Sequence, residues 1–309
     1  MLNIFRKLHH VCIVVHDIQK ATAYYDSVGI GPWYSWGSFA EFPELDVEDK
    51  QAQYETIYMC ADIDNIQIQL CQPSMRKTPK RKFLDAQGEG VFHLGFLVDD
   101  VDQAEAAGRA AGLMVFERGR RTDGSGFTYF ETAKQAGVTL EIRSNKRESA
   151  VSQDQPVKDP ASLDIFRTLH HVCIVANDIQ QKMSYFESVG IGPWQEYGSL
   201  NVYTELEVAN REAWLGSKYM FADLDNVQIQ LCQPGPLKNL RREFLDQHGE
   251  GVFHLGFLVK DCDEAEAVAR NSGLAVLERG RRPDRSGFTY FVTRAQAGVT
   301  LEIRSNKRT

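Results

Sequence analysis

The chain has 309 residues, room for two average domains, and its 43% hydrophobic and 25% charged content is ordinary for a globular protein with a sizeable core. A formal net charge of −7 speaks against the broad basic face that nucleic acid requires, while leaving room for a local pocket for a small anion. No run of about 18 apolar residues is present, Met1–Lys7 lacks a signal-peptide core, and the six cysteines form no Cys-x-x-Cys pair; the expectation is a cytoplasmic protein with buried free thiols at Cys12, Cys71, Cys173 and Cys232 and no membrane partner.

Leu8 to Val15 is rich in β-branched residues and reads as a strand. Asp17 stands where an N-cap belongs, Ile18 to Val28 reads as a helix, and Gly29 stops it. Ile30 to Trp36, interrupted by Pro32, suits an edge or bent strand, because proline cannot donate to an inner ladder. Tyr54 to Cys60 and Ile66 to Cys71 read as strands around the turn Asp62-Ile63-Asp64-Asn65. The order β-α-β-β-β then recurs. A connecting helix over Lys80 to Ala86 leads to the strand Val91 to Val98. An Ala-rich helix after Asp99-Asp100 ends at Gly112, and strands follow at Leu113 to Glu117, Phe127 to Glu131 and Val138 to Arg143.

All of this happens twice. Gly90-Val-Phe-His-Leu-Gly-Phe-Leu-Val98 returns as Gly251 to Val259, and the offset of 161 (171 − 10) relates His10 to His171, Gln69 to Gln230, His93 to His254 and Glu141 to Glu302. A period this long is a doubled domain rather than a solenoid unit. The polar, proline-bearing stretch 148–164 reads as a linker between repeats at 1–147 and 165–309.

Alternate residues of a strand share a face. His10 therefore lies with Cys12 and Val14, Gln67 with Gln69, His93 with Gly95, and Glu141 with Thr139 and Arg143. Each of these apolar strands carries a polar group able to bind a metal, and burying four such groups without partners would cost several kcal/mol. Hydrogen bonding among themselves or to water is one resolution. A divalent cation held by two imidazoles, an amide oxygen and a carboxylate is the other, and recurrence of all four types in both halves favours it.

The Leu-His-His-Val-Cys-Ile-Val start, the second histidine strand, the Gln-Leu-Cys-Gln-Pro strand and the closing Gly-Val-Thr-Leu-Glu-Ile together resemble the vicinal oxygen chelate superfamily of glyoxalases, extradiol dioxygenases, methylmalonyl-CoA epimerases and resistance proteins. The resemblance spans nearly all of both repeats. It implies an α+β fold: four βαβββ modules in two tandem repeats, whose curved mixed sheets form metal-centred half-barrels. It also implies metal ligands His10, Gln69, His93 and Glu141, with His171, Gln230, His254 and Glu302 in the second repeat. The ion would be cobalt, nickel, zinc, manganese or iron. His9 and His170 read as packing or supporting groups. This ligand set is most similar to that of methylmalonyl-CoA epimerase, where such a metal stabilises an enolate and a carboxylate moves the proton, so Glu141 and Glu302 are the catalytic candidates. One departure stands out: the second glutamate of that epimerase has no shared counterpart, since the place is filled by Ile57 or Glu55 in one repeat and by Lys218 or Gly216 in the other. Glu44 and Glu205 match, but in a segment that reads as a solvated loop.

Glu117-Arg-Gly-Arg-Arg121 and Glu278-Arg-Gly-Arg-Arg282 could clamp a carboxylate or phosphate. Arg118, Arg120, Arg279 and Arg281 are therefore expected at the substrate, with Tyr129 and Tyr290, which alternate with phenylalanines of which one set must face the cavity. The reading is a metal-dependent isomerase, epimerase or lyase acting on a small carbonyl or acyl-thioester compound, as a monomer or homodimer. An Fe(II) dioxygenase using two histidines and one glutamate, with Gln69 a bystander, is the enzyme alternative; a small-ligand-binding protein without chemistry is the other. The differing stretches Phe39–Gln53 and Leu200–Ala213 leave the two pockets free to be unequal.

Overall fold

A computed structural model describes residues 2–145 and 163–306; apart from residues 163 and 164, the expected linker lies outside them. The first repeat runs β1 (Lys7–Val14), α1 (Ile18–Ser27), β2 (Tyr34–Ser35), β3 (Glu44–Asp46), α2 (Lys50–Glu55), β4 (Ile57–Asp62), β5 (Gln67–Gln72) and α3 (Pro79–Gln87). It continues with β6 (Gly90–Leu97), α4 (Val101–Ala110), β7 (Val115–Arg120), β8 (Gly126–Phe130), α5 (Ala133–Ala136) and β9 (Thr139–Ser144). The caps are local chemistry: the Asp17 carboxylate accepts from the N–H groups of Gln19 and Lys20, and Asp100 does the same for Asp102 and Gln103.

All nine strands join one mixed sheet in the order β2-β4-β5-β1-β6-β9-β8-β7-β3, and the second repeat builds a second sheet of the same order. The two modules of a repeat thus pair with each other through antiparallel β1 and β6. Neither sheet closes into a barrel, since β2 and β3 remain edges. Two expectations shift. Tyr54 belongs to the short helix α2, so the strand after it starts only at Ile57. Ile30 to Trp36 contributes just the two-residue edge strand β2, after a cis Gly31–Pro32 bond.

Alternation along β1 divides the interior. Leu8, Val11 and Ile13 join a core that runs through both repeats with α1, α4 and their counterparts. Cys12 and Val14 look the other way, into a smaller aromatic cluster with Phe39, Phe42, Tyr58, Phe127 and Tyr129. The repeats are cross-tied: the Tyr25 hydroxyl donates to the Ala297 carbonyl at 2.7 Å, and Asn65 and Asn226 bond reciprocally to the backbones of Leu169 and Leu8. Gly29, at φ 85°, lies so close to the Leu163 carbonyl that a Cβ would come within 2.0 Å of its oxygen.

Candidate metal centre

Register explains how residues far apart in sequence meet. Across β5, β1, β6 and β9 one rung reads Gln67, His10, Gly95, Glu141, and the next on the same face reads Gln69, Cys12, His93, Thr139. His10 and Glu141 are two strands apart, roughly 9.6 Å at ordinary strand spacing, and they close the gap over Gly95, which has no side chain. A Cβ there would sit 2.0 Å from His10 Cε1. Gly256 stands in the same relation to His171.

The result is a tight triangle. His10 Nε2 lies 2.8 Å from His93 Nε2 and 3.0 Å from Glu141 Oε2, and His93 Nε2 lies 2.9 Å from the same oxygen. The second repeat gives 2.8, 3.1 and 2.9 Å for His171, His254 and Glu302. All six side chains are buried. Donors held at right angles by an ion about 2.1 Å away lie about 3.0 Å apart, against about 3.4 Å around a tetrahedral ion. The triangle therefore fits one face of an octahedron, with the opposite face left for other ligands.

Electrostatics agree with that fit. Burial pushes the His93 and His171 imidazoles down to about 4, and it lowers His10 and His254 as well. Burial alone would raise the Glu141 carboxyl, but the adjoining His10 and His93 outweigh it and hold it well below its usual range. Two neutral imidazoles and one carboxylate thus converge, and Glu141 Oε2 and Glu302 Oε2 have no aligned hydrogen bond. A divalent cation would satisfy all three donors. A register shift between Leu8 and His10 brings His9 beside the site, with its Nδ1 3.1 Å from His10 Nδ1. A proton shared there fixes which His10 nitrogen offers its lone pair.

Gln69 lines the same cavity as Glu141 and donates its amide to Gln67 Oε1 at 2.7 Å. In the second repeat the Gln230 amide nitrogen is buried without a partner. Tyr129 faces the site, its ring centroid 4.9 Å from that of His93, and Tyr290 stands likewise to His254. Phe127 shares that face, whereas Phe130 packs on Phe5 at the back.

The arginine expectation needs correcting. Tyr129 pairs with Glu117, so Glu117, Gly119 and Arg121 share the cavity face and Arg118 and Arg120 the opposite one. Arg120 is buried against α4, with Nη2 2.7 Å from Glu105 and Nε 2.6 Å from Asp102. Arg118 reaches the same two acids. Arg279 and Arg281 do so with Asp263 and Glu266. These four hold the helix to the sheet. The guanidinium groups at the cavity belong instead to Arg121 and Arg143, among walls of Trp36, Phe39, Phe42 and Tyr58. Strand parity could have found both arginines; Arg143 shares the face of Glu141. Nothing local in the sequence announces that Trp36, Phe39 and Phe42 fold over the cavity that Glu141 lines.

Fold and cluster together set two imidazoles and a carboxylate at one buried point in each repeat. The chain belongs to the glyoxalase/bleomycin resistance protein/dioxygenase superfamily, whose family model matches residues 9–130 and again 170–292. Among solved structures it is similar to a mutant of 4-hydroxymandelate synthase from Streptomyces coelicolor, at 14% identity over 99% of this chain and 95% of that one, with a TM-score of 0.67. It is also similar to a catechol 2,3-dioxygenase, at 14% identity over 99% of this chain and 90% of that one, with a TM-score of 0.54. Methylmalonyl-CoA epimerase from Mycobacterium tuberculosis aligns over 47% of this chain and 91% of its own at 20% identity, with a TM-score of 0.36. No curated protein sequence matches. Members of the superfamily are mostly metal-dependent enzymes acting on small molecules. No helix among the described residues is long and apolar enough to cross a membrane.

Proposed function

We propose that the protein is an Fe(II)-dependent dioxygenase acting on a small organic substrate, with His10, His93 and Glu141 as ligands in one repeat and His171, His254 and Glu302 in the other. The carrying observation is the facial triangle of 2.8–3.1 Å in a cavity whose described lining includes no second carboxylate. Two histidines and one carboxylate on one face, with the other face open, suit non-haem ferrous oxygenases. A bound ferrous ion would supply adjacent positions for dioxygen and substrate together with the electrons to activate them. The chain's own part is to hold three donors rigidly, exclude bulk water with Trp36, Phe39, Phe42 and Phe127, and lay the substrate beside Tyr129.

Enolate chemistry is the second reading, favoured by Gln69, whose side chain lines the same cavity as Glu141. It asks more of this site. An effective base has a proton affinity near the working pH, and Glu141 is held well below that. The neighbouring phenol of Tyr129 is pushed well up by burial.

The test uses the full chain reconstituted anaerobically with ferrous iron. Nitric oxide, standing in for dioxygen, should give a high-spin iron–nitrosyl EPR signal that Glu141→Ala and Glu302→Ala together abolish. Oxygen uptake with a panel of catechols and aryl 2-keto acids should follow. A cobalt- or nickel-loaded protein that exchanges α-protons of acyl thioesters with deuterated water, while the iron form takes up no oxygen, would replace this reading with the isomerase one.

A further inference from the structure

The two cavities differ where their arginines end. In the second repeat, Arg282 Nη2 donates to the Tyr203 hydroxyl at 2.9 Å with its guanidinium 4.6 Å from that ring. Arg304 has its guanidinium 5.7 Å from the Tyr197 ring. Each guanidinium thus stands against a phenol, and that of Arg282 donates to it. At the equivalent places the first repeat has Trp36 and Phe42 (197 − 161 and 203 − 161), which cannot accept a hydrogen bond. There Arg121 lies flat on Phe42, 4.2 Å from its centroid, and reaches Glu41 at the exposed rim at 3.3 Å. Arg143, like Arg304, has a buried Nε without a hydrogen-bond partner, and no described carboxylate pairs with Arg143. Burial and the like charge of Arg143 together lower the proton affinity of Arg121, as expected of two cations facing one small space.

We propose that the first repeat's cavity binds a small aromatic carboxylate, its anionic group between Arg121 and Arg143 and its ring against Trp36, Phe39 and Phe42, and that the second cavity, where Arg282 donates to Tyr203 and Arg304 faces Tyr197, does not. Guanidinium binds carboxylate in a forked geometry that flat apolar walls complement. The proposal rests on the functional reading above only in taking this cavity as the substrate's place.

Calorimetric titration of the metal-free full chain with benzoate and with benzamide separates the two ideas, because neither metal nor turnover is needed. Benzoate should bind at one site per chain and at least about tenfold more tightly than benzamide. Arg143→Met should remove that preference. Trp36→Tyr with Phe42→Tyr, which imports the second repeat's phenols, should weaken benzoate about as much while unfolding by circular dichroism stays cooperative. Tyr197→Trp with Tyr203→Phe should create a second benzoate site. Two equal sites in the unaltered chain, or benzoate binding indifferent to Arg143→Met, would overturn the proposal. If iron-dependent oxygen chemistry fails yet these titrations succeed, the substrate assignment stands and the reaction assignment falls.

Discussion

Gly95 carries more of the proposed metal centre than its lack of a side chain suggests. It lies between His10 and Glu141 in one rung of the sheet, and any Cβ would strike the His10 ring at 2.0–2.6 Å. Gly95→Ala should therefore tilt the imidazole out of the triangle and cost the first centre its metal, although the strand is otherwise suited to alanine. Metal analysis of that variant should give one ion per chain where the parent binds two, matching His93→Ala; an unchanged metal content would mean that the site tolerates a displaced His10. That His10, Gln69, His93 and Glu141 each stand on one face of their strands was legible from strand parity. Glycine's part was not, because it depends on which strands become neighbours. Arg118 and Arg120 were misplaced for a related reason. Parity separates them from Arg121, yet only the pairing of Glu117 with Tyr129 says which set faces the ligand.

Among elements, α3 and α4 each meet the sheet through buried charge. On α4, Glu105 accepts from Arg109, Arg120 and Thr128. Removing the buried partner leaves a carboxylate short of its cation, so Arg120→Ala should cost roughly 3 kcal/mol in urea unfolding while leaving benzoate affinity intact. From α3, Lys80 Nζ lies 3.0 Å from Glu117 and 4.5 Å from the Tyr129 centroid, directly behind the site. Burial would lower its proton affinity, but Glu117 outweighs that and raises it. A raised folded value means the stabilisation is complete below about pH 10.4, the unfolded value, and fades as pH climbs through the folded one. The second repeat has Arg241 paired with Glu278 in this place. Lys80→Arg should accordingly flatten the alkaline loss of stability in urea titrations; an unchanged alkaline limb would show that the pair contributes nothing there. The helices, their aspartate caps and most strands were readable from propensity. Strand β3 and helix α2 were not, since Glu44–Asp46 is ordered by pairing with distant β7 rather than by its own pattern.

At the scale of the molecule, each half forms one sheet, and the halves meet about an approximate twofold axis. Asn65 serves the backbone of Leu169, at the start of the strand bearing His170 and His171, while Asn226 serves that of Leu8. Each repeat thus braces the other's first ligand strand. Asn65→Ala, placed in a His93→Ala background so that only the second centre binds, should weaken metal binding there severalfold; undiminished affinity would make the tie purely mechanical. The duplication was plain in the sequence. This crossing-over was not, because an asparagine in a turn has many local uses.

The same reciprocity makes the peptide link between the halves expendable for assembly. Fragments 1–147 and 163–309, produced together as separate polypeptides, should find each other and migrate as a single particle, as two subunits would, with Tyr25 still reaching Ala297 across the seam.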